Sequence, residues 1–213
     1  MSIKTEPTYT EYEVSRILRD SEGQSIRPTD RGEGHAEANH ELVAQGKNRA
    51  SITFDGLEMR IIGDEGLPAS SAFDGCQVAA ITYALNTRAG QTALGYLCWD
   101  RCEWVFARIG IAAGNFRMVG YNAQVTRPAP SGARFVVGPS RTGPDGSWRP
   151  AIVLPGLLDQ TPGIAGGIGM KLMKTVGKAL HIRTAFPLAN APVPPRARIR
   201  WVGAGEQDQD LPV

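Results

Sequence analysis

The apolar positions of this chain change their period about halfway along. Up to about residue 100 they recur at spacings of three and four, the pattern of a helix face; from Trp104 they tend to alternate, the pattern of a strand. Thr10 followed by Glu13 has the form of a capping box, so a helix is predicted from there to about Ser21. Val14, Ile17 and Leu18 lie on one face of it, and Gly23 ends it. A second helix is predicted over residues 35–44, stopping at Gly46. Residues 51–54 and 57–62 flank Asp55-Gly56, a hairpin turn signal, while a competing reading makes 55–62 the start of a helix. Asp74-Gly75 precedes a clear helix from Cys76 to about Asn86, with Val78, Ala79, Ile81, Tyr83 and Leu85 apolar, and a shorter one follows over 90–97.

The second half reads as strands at 104–111, 116–125, 133–137 and 151–154, with a Gly/Pro-rich turn region at 138–150. Residues 156–169 read as a flexible loop and 170–180 as a short basic helix. Residues 181–186 read as a strand, and 199–202 as a last strand after the stiff 192–195 segment. Helices first and strands later predict an α+β fold, with N-terminal helices packed on a mostly antiparallel, twisted sheet. Residues 1–33 read as a leader with one short helix, 34–203 as a single domain, and 204–213 as a C-terminal tail.

Composition narrows this reading little. Of 213 residues 42% are hydrophobic and 21% charged, which argues against overall disorder. The 25 glycines and 15 prolines predict short elements and many loops. A net charge of +2 implies no partner by itself. From Ser131 to Gly203, however, ten basic residues face only Asp145 and Asp159, a local charge of +8. Such a segment suits a polyanion such as nucleic acid, and equally a solvated basic face. Cys76, Cys98 and Cys102 are too few and odd in number for a disulfide framework, which fits a reducing compartment or indifference to redox. The first twenty residues, polar and charged, do not read as a secretion signal. No apolar run reaches the length of a membrane span; the nearest, 163–180, is broken by three lysines and by glycines.

Chemistry concentrates in residues 34–54, GHAEANHELVAQGKNRASITF, where His35 and His40 are closely followed by Lys47 and Arg49. The third histidine, His181, opens HIRTAFP near the other end. Transesterification of RNA needs a base for the 2′-hydroxyl, a cation for the phosphate, and a donor for the leaving or phosphoryl oxygen. His40, Arg49 or Lys47, and Thr184 are of those types. Most histidines in globular proteins are surface groups or satisfied core groups, so these types alone carry little weight.

The order GHAEANH, KNRASITF, AAITYALNTRAGQTAL and HIRTAFP resembles the bacterial toxin ribonucleases with an RNase A-like fold. These are found as C-terminal domains of contact-dependent inhibition and related polymorphic toxins. The leader YTEYEVSRILRDSEG is similar to what often precedes them. The likeness spans about 35–95 and 180–188; the region between, including CWDRCEW, has no counterpart in it. It implies His40 as the catalytic base, Arg49 (or else Lys47) as the phosphate clamp, and Thr184 as the hydroxyl that orients the phosphate. His35, Lys47 and His181 would support these, and Arg183 and Phe186 would contact substrate. Phe186 stands where the family commonly has tyrosine, so a phenol role is lost or moved. The resemblance further implies cleavage without metal or other cofactor to a 2′,3′-cyclic phosphate, on an RNA substrate. It also implies an effector secreted to act in the cytoplasm of a competing bacterium, with a cognate immunity protein; a basic cleft would call for that partner to be acidic.

Other readings compete. His35-Ala36-Glu37 with Cys98 and Cys102 suggests a zinc deaminase, but the cysteines are one residue too far apart and lack the preceding proline. Cys76, opening a helix after Asp74-Gly75, suggests a cysteine hydrolase with His181 as its base. A non-enzymatic interaction protein is the third. Trp99, Trp104, Phe106 and Trp148 read as core or strand-face aromatics before base-stacking platforms. Lys171, Lys174 and Lys178, at helical spacing, read as a solvated face or an RNA track. The glycines of GIAGGIG follow no predicted strand and do not form a phosphate loop. Of these readings, only the ribonuclease one requires His40 and Thr184, far apart in the chain, to line one cleft.

Overall fold

The computed structural model describes residues 1–26, 33–42, 51–54, 56, 57, 60, 69–111, 116–124, 134, 135, 152–155 and 163–213. Its helices are α1 (Glu11–Ser21), α2 (Ala36–His40), α3 (Gln77–Asn86) and α4 (Arg88–Cys98). Its strands are β1 (Ala69–Phe73), β2 (Cys102–Gly110), β3 (Arg117–Gln124), β4 (Arg134–Phe135), β5 (Ile152–Pro155), β6 (Gly163–Ile164), β7 (Gly167–Lys174), β8 (Leu180–Leu188), β9 (Arg196–Trp201) and β10 (Glu206–Asp210). They form two antiparallel sheets. One runs β10-β9-β2-β7-β8; the other runs β1-β3-β5-β4, with β6 also paired to β3. The class is α+β, as the change of period predicts.

Local chemistry accounts for the helices. Thr10 Oγ1 accepts from the Glu13 amide at 3.3 Å and Glu13 Oε2 accepts from the Thr10 amide at 3.0 Å, the reciprocal capping box that starts α1. Thr87 ends α3 and caps α4, its hydroxyl accepting from the Gly90 amide at 3.1 Å. At that corner a Cβ on Gly90 would come within 2.0 Å of the Ala84 carbonyl oxygen, so only glycine lets the two helices turn so sharply.

The core lies between the helices and one face of the larger sheet. Val105, Ala107 and Ile109 of β2, Ile168, Met170 and Leu172 of β7, and Ala197 and Ile199 of β9 are all buried. Helix α4 packs over β2 and β7, and α1, α2 and α3 pack against β8. The opposite face carries Trp104, Phe106 and Arg108 of β2 with Lys171 of β7, half-buried or exposed. Alternation across the pleat sorts the two sets.

Edge strand β8 is closed by side chains and backbone from earlier in the chain. The carbonyl of Arg183 accepts from the His35 amide at 2.9 Å, that of Ala185 from Gln77 Nε2 at 3.1 Å, and that of Pro187 from Ser71 Oγ at 3.0 Å. These three alternate carbonyls of the strand are thus satisfied without another strand, which blunts an edge open to mispairing.

Four expectations are corrected. Residues 170–180 do not form a helix: 167–174 is a strand, held between β2 and β8. The lysines at 171, 174 and 178 have helical spacing, but Ile168, Met170 and Leu172 alternate, and burial follows the alternation. The loop expected over 156–169 includes β6 and the start of β7. The hairpin at Asp55-Gly56 gives way to the competing helical reading. Phe54, Gly56, Leu57 and Arg60 are helical, and the Leu57 amide donates to the Thr53 carbonyl at 2.9 Å. Finally, the segment read as a tail contains β10, whose acids face the arginines of β9: Asp208 lies 2.9 Å from Arg198 and Asp210 3.2 Å from Arg196. Part of the basic charge counted up to residue 203 is therefore answered just beyond it.

Candidate functional site

Helix α2 is only five residues long and would not stand alone. Its first turn is capped by the Glu22 carboxylate, whose Oε2 and Oε1 accept from the amides of Glu37 and Ala38 at 3.2 and 3.0 Å. Gln77, first residue of α3, ties it to β8: Nε2 donates to the carbonyls of Ala36 at 2.7 Å and Ala185 at 3.1 Å. Glu41, just past α2, is buried and accepts from the amides of Gly75 and Gln77 at 2.7 and 2.9 Å, fixing α2 to the start of α3.

These ties hold His40 against β8. Its ring lies 5.4 Å from the ring of Phe186, and that of His35 lies 6.2 Å from His40. Nδ1 of His40 donates to the Ser71 carbonyl at 2.8 Å, which leaves Nε2 as the acceptor. Nη1 of Arg60 stands 3.4 Å from that Nε2 and 3.3 Å from the Asn39 carbonyl. Burial pushes the His40 pKa down to about 3, and the charges of Arg60 and His35 add to this against the hydrogen bond to Ser71. His40 is therefore a neutral imidazole of one tautomer at physiological pH, with its free lone pair turned to a guanidinium.

Thr184 lies two residues before Phe186 on the same face of β8, about 7 Å along the strand. Its Oγ1 is buried and has no hydrogen-bond partner among the described residues. The chain thus brings His40, His35, Phe186 and the strand carrying Thr184 and Arg183 into one neighbourhood. Arg183 is half-buried at the bulge in β8, and His181 is buried near the start of that strand. Lys47 and Arg49 lie outside the described residues.

The cation that the structure sets at His40 is Arg60, which the sequence reading passed over. So is Ser71, whose carbonyl orients the imidazole while its hydroxyl holds β8. No local pattern marks either residue; only the tertiary fold, which sets Ser71 of β1 and Arg60 beside α2, does.

The residues of the competing readings are arranged differently. Cys76 Sγ donates to the Arg117 carbonyl at 3.2 Å, and burial raises its thiol to about 11. That is the reverse of what a thiolate nucleophile needs. Cys98 is exposed at the end of α4 and Cys102 is buried in β2. His35 turns its Nδ1 to the Glu33 carbonyl at 2.9 Å. Among the described residues no group of three His, Cys, Asp or Glu side chains converges as a metal site. No helix among them is long and apolar enough to cross a membrane. Compared with known protein families, curated proteins and solved structures, the chain matches none.

Proposed function

We propose that this chain is a metal-independent endoribonuclease that cleaves RNA by attack of a 2′-hydroxyl on the adjacent phosphate. The observation that carries the reading is the neutral His40, anchored through Nδ1 and offering Nε2 to a guanidinium beside the strand that bears Thr184. In the reaction Nε2 takes the 2′-hydroxyl proton and the 2′-oxygen bonds to phosphorus. The bond from phosphorus to the 5′-oxygen breaks, and that oxygen takes a proton from solvent. Arg60 moves onto the phosphate as the 2′-hydroxyl takes its place at Nε2. The Thr184 hydroxyl donates to a phosphoryl oxygen, the role that gives its buried Oγ1 a partner. A base titrating near 3 is weak, and the phosphate anion strengthens it by favouring the imidazolium.

The resemblance of GHAEANH and HIRTAFP to toxin ribonucleases supports the same reading. It extends the proposal to an effector acting in the cytoplasm of a competing bacterium and restrained by an acidic immunity protein.

The test is incubation of the purified chain with RNA in excess chelator. Cleavage leaving 2′,3′-cyclic phosphate ends, and its loss in His40→Ala with the circular dichroism spectrum unchanged, are expected. Cleavage that requires a divalent metal would overturn the mechanism. Harmless expression of the chain in bacteria without its neighbouring gene product would overturn the toxin assignment.

A further inference from the structure

The open face of the larger sheet holds a pocket of about 500 Å³ that the chemistry at His40 does not use. Trp104 and Phe106 of β2 form its floor, both half-buried rather than sealed in the core. Each ring has a cation over it: the Lys171 ammonium is 4.5 Å from the centroid of Trp104, and the Arg108 guanidinium 5.6 Å from that of Phe106. Arg196 and Arg198 add two more positive charges and Glu206 and Asp208 two negative ones, so the lining carries +2.

The arginines of β9 are paired with the acids of β10, with Arg198 2.9 Å from Asp208 and Arg196 3.2 Å from Asp210. Of the four cations in the lining, Arg108 and Lys171 are the two that lie over the aromatic floor. The floor also runs on toward His40. Phe106 stacks on Phe186 at 6.1 Å with planes 27° apart, and Phe186 meets His40 at 5.4 Å.

Aromatic faces interleaved with cations match the alternation of bases and phosphates in an unpaired strand. A duplex hides its base faces and cannot use such a floor. A half-exposed aromatic floor alone would suit an apolar partner, but the net positive lining and the ring-capping cations favour an anion with flat aromatic parts.

We infer that this face binds single-stranded RNA, a base taking the place of the Lys171 ammonium over Trp104 and its phosphates lying against Lys171 and Arg108. The strand leads along Phe106 and Phe186 to the imidazole of His40. The inference deepens the ribonuclease reading by naming the form of its substrate and the path it follows. It departs from the reading of Trp104 and Phe106 as strand-face residues alone.

The experiment measures binding of a fluorescein-labelled 12-nucleotide RNA in the His40→Ala chain, by anisotropy, against the same RNA annealed to its complement. The single strand is expected to bind at least tenfold tighter than the duplex, more weakly as salt rises. Trp104→Ala should weaken it by about tenfold or more, within the range for loss of one base stack, and Lys171→Gln should flatten the salt dependence. Trp99→Ala, which removes an exposed tryptophan packed on Trp201 at the end of α4, should change nothing. Equal binding of both RNA forms, no binding, or indifference to Trp104→Ala would overturn the inference. So would an acidic protein that occupies this face and leaves RNA binding unaffected. Cleavage assayed separately in chains with His40 intact distinguishes the two failures. Stacking-dependent binding without cleavage sinks only the ribonuclease reading, and cleavage indifferent to Trp104 sinks only the path proposed here.

Discussion

The carbonyl of Ser71 accepts a 2.8 Å hydrogen bond from Nδ1 of His40, while the hydroxyl of the same serine donates to the Pro187 carbonyl at 3.0 Å. One residue of β1 thus fixes both the tautomer of the imidazole and the edge of the strand beside it. The side chain carrying the candidate chemistry is set by the backbone of a strand from the other sheet, so its position depends on the tertiary fold rather than on α2.

Acid stability follows from that burial. His40 titrates near 6.5 in the unfolded chain and at about 3 in the folded one. Between those values the unfolded chain binds a proton that the folded chain does not, so stability is complete above pH 6.5 and declines as pH falls. The slope reaches at most about 1.4 kcal/mol per pH unit. Urea unfolding between pH 7.5 and 5 should show this decline, and His40→Asn, which keeps a donor for Ser71 but cannot titrate, should reduce it. A His40 imidazole resonance titrating near 6.5 in the native protein would contradict the prediction.

Arg60 should matter in two ways that can be read separately. Arg60→Ala is expected to lower cleavage by about 100- to 1000-fold, the range for removing one electrostatic contact to a transition state. Arg60→Lys should recover only part, because an ammonium lacks the planar fork of the guanidinium. Removing the nearby charge should also raise the His40 pKa, since Arg60 now lowers it. Nuclear magnetic resonance of the imidazole reads that shift without reference to activity.

The parts of this molecule that were legible in its sequence are those decided locally. Thr10 and Glu13 announce α1 because capping is a contact between neighbours in the chain. The apolar spacing after Cys76 announces α3 in the same way. β7 was not legible: three lysines at helical spacing outweighed a short run of alternating Ile168, Met170 and Leu172. Its strand state is imposed by partners on both sides. β10 has almost no apolar signal, and its period-two acids gain meaning only opposite the period-two arginines of β9. At the site, His40 was visible as a residue type. Its neighbours Ser71 and Arg60 were not, because nothing near them in the chain says that they will stand beside an imidazole.

Gln77 should prove a structural hinge pin of the same region. Its side-chain amide is buried and bonds the carbonyls of Ala36 and Ala185. Gln77→Leu keeps the bulk but strands two acceptors, at a cost of about 1–3 kcal/mol for each carbonyl left dry. Equilibrium unfolding should report that loss. Hydrogen exchange should show the amide of His35, which bonds the Arg183 carbonyl, opening more readily than the amides of α4. Equal change in both places would mean general destabilisation rather than loosening of α2 from β8.

The last prediction concerns Gly169, the cross-strand partner of Phe186 in the register of β7 and β8. A Cβ built on this glycine would lie 2.7 Å from Cζ of Phe186 and 2.9 Å from Cε2, so the aromatic ring covers the bare backbone of its neighbour. Phe186 in turn is what His40 and Phe106 touch. A methyl group here cannot be absorbed by a flexible tip, because the obstruction is a flat ring held between two others. Gly169→Ala should therefore cost about 1–3 kcal/mol, the usual range for overpacking. In the Phe186→Ala background the same substitution meets no ring, and its cost should fall to a few tenths of a kcal/mol or change sign, a coupling that a double-mutant cycle measures directly. Displacing the ring should also raise the His40 pKa by admitting water to it. If Gly169→Ala costs the same with and without Phe186, the glycine is not kept for the ring. The line of contacts from the sheet face to His40 would then not depend on how Phe186 is seated.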